Sequence, residues 1–114
     1  MSDRELLELA AKAAGIILTP VEIKNVTKQG DDRFAGYRTA PDQWPRGWFD
    51  PLTDDGDALR LAVKLRINLE LQYRGMVYAT TEEFDVDAPH GTDPLAATRR
   101  AITHAAAEIG RNMK

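Results

Sequence analysis

The residues from Ile67 to Thr81 constrain the fold more than any other part of the chain. Ile67, Leu69, Leu71 and Tyr73 alternate with Asn68, Glu70 and Gln72, the period of a strand with one face in a core. Arg74-Gly75 suits a tight hairpin turn, and Met76 to Thr81 returns as the partner strand. A lone hairpin is marginal in water, so this one must rest on other elements. Thr53 to Arg66 reads as a helix just before it, capped by Thr53 or Asp54, with Leu59, Ala62, Val63 and Leu65 or Arg66 carrying the apolar pattern. Asp54, Asp55 and Asp57 crowd its first turn, where acids complement the positive end of the helix dipole. Just after the hairpin, Glu82 to Asp93 holds five acids and no Lys or Arg, and Asp87 to Gly91 reads as its loop core.

Two further helices complete the frame. Ser2 to Ala14 places Leu6, Leu9, Ala10, Ala13 and Ala14 on one stripe; Ser2 is its cap, Glu5 sits at the capping-box position, and Gly15 is its stop. Thr92 or Asp93 caps a last helix with Pro94 in its first turn, and Leu95, Thr98, Ile102, Ala105, Ala106, Ile109 and Met113 run down one face. Between the first two helices, Val21 to Thr27 alternates as a strand, Gln29-Gly30-Asp31-Asp32 signals a turn, and Phe34 to Arg38 is a short return. The order α-β-β-α-β-β-α predicts an α+β fold, a layered α/β/α sandwich with a mostly antiparallel sheet. At 114 residues it is expected to be one domain, residues 1–114.

Composition narrows the chemistry. The chain has no cysteine, which excludes a disulfide framework, a thiol nucleophile and cysteine-ligated zinc, and fits a reducing cytoplasm. No apolar run is long enough to cross a bilayer, and Ser2-Asp3-Arg4-Glu5 leads into no apolar segment of a secretory leader. A formal net charge of −3 argues against a sequence-independent grip on nucleic acid, which needs clustered positive charge. Ser2 is the only serine and is accounted for as a cap; no phosphate loop, dinucleotide fingerprint or metalloprotease motif is present. The expectation is a protein with no catalytic residues, no metal site and no cofactor. His90 and His104 lie fourteen positions apart without a third histidine and read as solvated. Asp50, Asp54, Asp55 and Asp57 could offer oxygens to a divalent cation, but capping and the dipole already account for three of them.

The least regular stretch, 39–51, holds Pro41, Pro45 and Pro51 together with Trp44, Trp48 and Phe49. Within Trp44-Pro45-Arg46-Gly47-Trp48, indoles can stack on a base, an arginine can pair with phosphate, and Gly47 admits a close backbone approach. The other reading is a loop pinned to the core by its tryptophans. Arg99 and Arg100, one turn into the last helix, can add to an anion site or stand solvated. Trp44, Arg46, Gly47, Trp48, Arg99 and Arg100 are the candidate ligand-binding residues.

Two segments also resemble a known family. Trp48 to Leu65, WFDPLTDDGDALRLAVKL, and Asp93 to Arg111, DPLAATRRAITHAAAEIGR, are similar to stretches of the phage ABA sandwich domain, a group of small bacteriophage and prophage proteins. The W-x-D/N-P-L-x-x-D-G-D-A sense of the first is the more specific. The resemblance covers roughly the C-terminal two-thirds of the chain and implies a three-layer fold and a phage or prophage setting in the host cytoplasm, with no catalytic residues to carry over. In that setting the expected function is a non-enzymatic anti-defence protein that sequesters a nucleotide-derived signal, as a homo-oligomer with its pockets between protomers. The alternatives are an inhibitor or adaptor that binds a host defence protein through the acidic segment Glu82 to Asp93, in the manner of an anti-CRISPR, and a phage accessory or morphogenesis factor.

Overall fold

The computed structural model describes residues 1–23 and 33–113. Within them the chain runs α1 (Asp3–Ala14), β1 (Thr19–Ile23), β2 (Arg33–Arg38), β3 (Trp48–Phe49), α2 (Asp55–Leu65), β4 (Asn68–Tyr73), β5 (Met76–Thr80), β6 (Asp85–Pro89) and α3 (Pro94–Arg111). The class is α+β, with its helices where the sequence predicts them. The turn at Gln29–Asp32 and the end of the first strand beyond Ile23 lie outside the described residues.

The strands divide between two antiparallel sheets, β1-β2-β3 and β4-β5-β6. Two strands go beyond the sequence reading. One is the two-residue β3, which pairs Trp48 with Arg38 and Phe49 with Tyr37. The other is β6, which replaces the loop expected at Asp87–Gly91 and pairs along β5 from Thr80↔Asp85 to Met76↔Pro89. Its exposed-buried-exposed-buried-exposed pattern is a strand period written in acids and alanine, residue types that seldom favour strands. Tertiary pairing overrides that preference.

Local chemistry accounts for the helix ends. The Ser2 hydroxyl accepts from the Glu5 N–H and donates to the Glu5 carboxylate. Asp54 and Asp93 accept from the N–H of the third residue of α2 and α3, Asp57 and Ala96, at 2.8 and 3.0 Å. Gly15 ends α1 in the left-handed region at φ 72°, which costs glycine nothing.

The three helices run in one direction. Arg100 and Asp3, near the starts of α3 and α1, pair at 2.9 Å, and Lys12 Nζ donates to the Met113 carbonyl beyond the far ends (3.2 Å). Arg99 meets Asp55 at the start of α2 (2.6 Å), while Leu65 and Ile109 line one cleft at the opposite end. Both α1 and α2 pack on α3, which also lies against β5 and β6. Its buried face is Ala97, Ala101, Ile102, Ala105, Ala106 and Ala107, small enough for the helix axes to come close.

The cores of α2 and α3 differ from the expected stripes. Leu59, Val63 and Leu95 are exposed; α2 buries Ala62 as expected, but with Ala58 and Leu61 beside it. Among the described residues no helix is long and apolar enough to cross a membrane.

Candidate functional site

The residues from Trp44 to Phe49 form a tight turn at the start of α2. The Gly47 N–H donates to the Trp44 carbonyl (3.0 Å), and the Gly47 carbonyl accepts from the Thr39 N–H (2.9 Å). Arg46 and Gly47 both have φ 69°. For Gly47 that conformation is free. For Arg46 it is unfavourable and needs compensation, which the guanidinium supplies. Arg46 Nη2 lies 3.3 Å from both Asp57 Oδ2 and Asp54 Oδ2.

Asp57 is the centre of this cluster. It is fully buried, and it accepts from Arg60 Nη2 (2.6 Å), the Asp50 N–H (2.9 Å) and Arg46 Nη2 (3.3 Å). A buried carboxylate is tolerated only when its lone pairs are met in this way. Asp50 is held in turn by the Thr53 hydroxyl. Sequence reasoning read Asp57 as a dipole acid; the missed signal was Arg60 three residues on, at helical pairing distance. Among the described residues no group of three or more His, Cys, Asp or Glu is placed to hold a metal ion.

The tryptophans play different parts. Trp44 is buried edge-on against Phe49, with centroids 5.2 Å apart and planes at 71°, and its Nε1 finds no acceptor among the described residues. Trp48 is half-buried, and the Arg38 guanidinium stands 4.9 Å over its ring, a cation–π contact. Arg99 donates to the Leu52 carbonyl (2.9 Å) and to Asp55 (2.6 Å), tying α3 to the entry of α2. Arg100 is apart from the rest, paired with Asp3 at the edge of a cleft of about 560 Å³ that His90, Thr92 and Asp93 also line. The structure therefore brings Trp44, Arg46, Gly47 and Trp48 together at the start of α2, with Arg99 on the same turn through a different acid. Each of the three candidate arginines already faces a carboxylate.

A second surface emerges from the β4-β5-β6 register. Val77, Ala79, Val86 and Ala88 are buried toward the helices. The opposite face carries Asn68, Thr80 and Asp85 in one row and Glu70, Tyr78 and Asp87 in the next. Asp85, Asp87 and Glu70 are exposed, and Tyr78 is half-buried between them. Glu82 and Glu83 are exposed in the turn before β6, which the Phe84 N–H closes by donating to the Thr81 hydroxyl (2.9 Å). The acidic segment is thus an ordered face with alternate carboxylates aimed outward. The sequence already held that signal in the alternation Asp85-Val86-Asp87-Ala88.

Tyr37, on the other sheet, is buried and donates to Glu8 Oε1 (2.8 Å). Burial, and then the Glu8 carboxylate, push its hydroxyl up to about 12. His104 lies 3.5 Å from Glu108, one turn on.

No family model matches the chain, and neither does any curated protein or solved structure.

Proposed function

We propose that this chain is a non-enzymatic binding protein whose acidic sheet face docks onto a basic groove of another protein, a groove that otherwise holds nucleic-acid phosphate. The observation that carries the reading is the register of β6. It sets Asp85 and Asp87 on one exposed face, aligns Asp87 with Glu70 across Tyr78 of β5, and continues into Glu82 and Glu83. Carboxylates two residues apart on a strand stand roughly 7 Å apart, close to the spacing of phosphates along one nucleic-acid strand. No Lys or Arg interrupts residues 82–93. A half-buried tyrosine amid the acids adds an anchor of the kind enriched at interfaces. The setting rests on the resemblance of Trp48 to Leu65 and Asp93 to Arg111 to phage proteins; in that setting the partner is a host defence protein in the cytoplasm.

The test is to immobilise the wild type and the Asp85→Lys/Asp87→Lys variant and compare the proteins each retains from a bacterial lysate. A nucleic-acid-binding protein held by the wild type alone, released as salt rises and displaced by duplex DNA, supports the reading. Equal retention by both, or retention indifferent to salt, overturns it.

The nucleotide-sequestering reading has one observation in its favour, the cleft of about 560 Å³ beside Arg100 at the start of α3. A phosphate there has to displace Asp3 from Arg100, and at the Trp44–Trp48 turn it has to displace Asp54 and Asp57 from Arg46. Native mass spectrometry of the freshly purified protein separates the readings. A retained nucleotide-sized mass favours sequestration, and a bare chain favours the protein partner.

A further inference from the structure

The ends of α2 and α3 and the turn before β6 enclose a cleft of about 560 Å³, lined by Leu65, Phe84 and Ile109 and by Arg66, Glu82 and Glu83. Its size suits a side chain together with the backbone that carries it. Leu65, Phe84 and Ile109 are half-buried, so the lining is apolar yet reachable. Leu65 closes α2 and Ile109 lies in the last turn of α3, so both helices bring their partially negative ends here. The turn that carries the two glutamates is held in shape. The Thr81 N–H donates to the Phe84 carbonyl (2.8 Å), and the Glu83 and Phe84 N–H groups donate to the Thr81 hydroxyl (3.3 and 2.9 Å). Among the described residues neither glutamate makes an ion pair. Asn112, which also lines the cleft, donates its amide to the Glu108 carbonyl (2.8 Å), which leaves its side-chain oxygen as a further acceptor.

An apolar lining beside two carboxylates and two helix C-termini matches a long side chain with a cationic head. We propose that this cleft takes an arginine of the basic partner, with its methylenes against Leu65 and Ile109 and its guanidinium shared between Glu82, Glu83 and the Phe84 ring. Arginine fits better than lysine, because a guanidinium forks to carboxylates and stacks on an aromatic ring, whereas an ammonium is more strongly hydrated. On the docking function proposed above, on which this site rests, Glu82 and Glu83 belong to both the acidic face and the cleft, and the arginine is an anchor at the edge of that face. Arg66 is the opposing charge. It lines the same cleft and, among the described residues, meets no acid, so it limits the cleft to one cation and weakens the grip on it. Its left-handed backbone, φ 56°, tolerates asparagine, so the charge can be removed without disturbing the end of α2.

The probe is the blocked tripeptide acetyl-Gly-Arg-Gly-amide, titrated into isotopically labelled protein and followed by amide chemical shifts. Shifts are expected at Thr81 to Phe84, Arg66, Ile109 and Asn112. Exchanging the peptide arginine for citrulline, which keeps the shape and loses the charge, is expected to weaken binding roughly fivefold, the upper end for a charge pair at a surface. Glu82→Gln/Glu83→Gln is expected to weaken it by a similar factor, and Arg66→Asn to strengthen it roughly twofold. Shifts confined to Tyr78, Asp85 and Asp87 put the arginine on the open sheet face, which overturns the cleft and leaves the docking face standing. No shift with peptide in large excess, or binding indifferent to citrulline or to the two glutamine substitutions, also overturns the cleft. The lysate comparison with Asp85→Lys/Asp87→Lys then judges the docking face by itself.

Discussion

Replacing Gly110 by alanine sets helix propensity against packing, and the geometry decides which wins. Propensity favours alanine inside a helix by about 1 kcal/mol. A Cβ at position 110, however, would stand 1.9 Å from the Leu9 carbonyl oxygen and 2.8 Å from the Leu9 carbonyl carbon. Both belong to the backbone of α1, so no side-chain rotation relieves the clash. Ordinary contact is about 3.5 Å, so α1 and α3 have to separate locally by about 1.5 Å. A gap of 0.5–1 Å already forfeits about a quarter to a half of each atom-pair attraction, and this is the most extensive helix–helix contact in the molecule. Overpacking of this kind costs about 1–3 kcal/mol and sometimes more. With rigid backbone on the receiving side we take the upper part of that range, for a net loss of about 2 kcal/mol after the propensity gain. For a domain of this size that lowers the melting temperature by roughly 8–12 °C. Thermal unfolding followed by circular dichroism, with urea titration for the free energy, measures it. A melting temperature that rises by a few degrees, as propensity alone dictates, refutes the close approach of α1 and α3 at Gly110.

Three other perturbations have defined outcomes. Asp57→Ala leaves Arg60, Arg46 and the Asp50 N–H without their acceptor and is expected to cost about 3–5 kcal/mol in urea unfolding, against about 1 kcal/mol for removing the Asp54 cap. Arg46→Ala is expected to cost about 1 kcal/mol or less, because Arg46 is half exposed and Asp57 keeps Arg60 and the Asp50 N–H; a loss as large as that of Asp57→Ala would make Arg46 the centre of the cluster. Tyr37 has its hydroxyl raised from 10.0 to about 12, so the neutral form is favoured in the fold. Its contribution is fully present below pH 10 and is lost as pH rises toward 12, where the unfolded chain has already given up the proton. Tyr37→Phe is expected to flatten the fall in stability over that window, and an unchanged slope refutes the raised Tyr37 hydroxyl.

Features confined to a few neighbouring residues were legible in the sequence. Ser2, Asp54, Asp93, Gly15 and Pro94 mark helix ends because capping joins groups three or four positions apart, and the β4–β5 hairpin is written in a seven-residue alternation. The candidate turn at Trp44–Trp48 was legible as a segment that has to pack. Its partners were not, because Asp57 is eleven positions from Arg46 and only the fold sets them together.

Periodicity also misassigned α2. Ala58 and Leu61 compete with Leu59 and Val63 for the core, with Ala62 compatible with either face, and two apolar faces on one helix look alike until a neighbour covers one of them. Here α3 makes that choice, and its alanines admit the smaller face. The β6 strand depended on β5 in the same way, since acids and alanine do not form a strand without a partner to pair with. The sequence by itself determined where helices begin and end and which segments alternate, because those are short-range preferences of the backbone. Only the tertiary structure decided which apolar face of α2 is buried, which carboxylate sits inside, and that the acids of β6 share one exposed face. Those outcomes depend on burial and pairing between residues far apart along the chain, which a local alternation such as Asp85-Val86-Asp87-Ala88 allows but does not dictate.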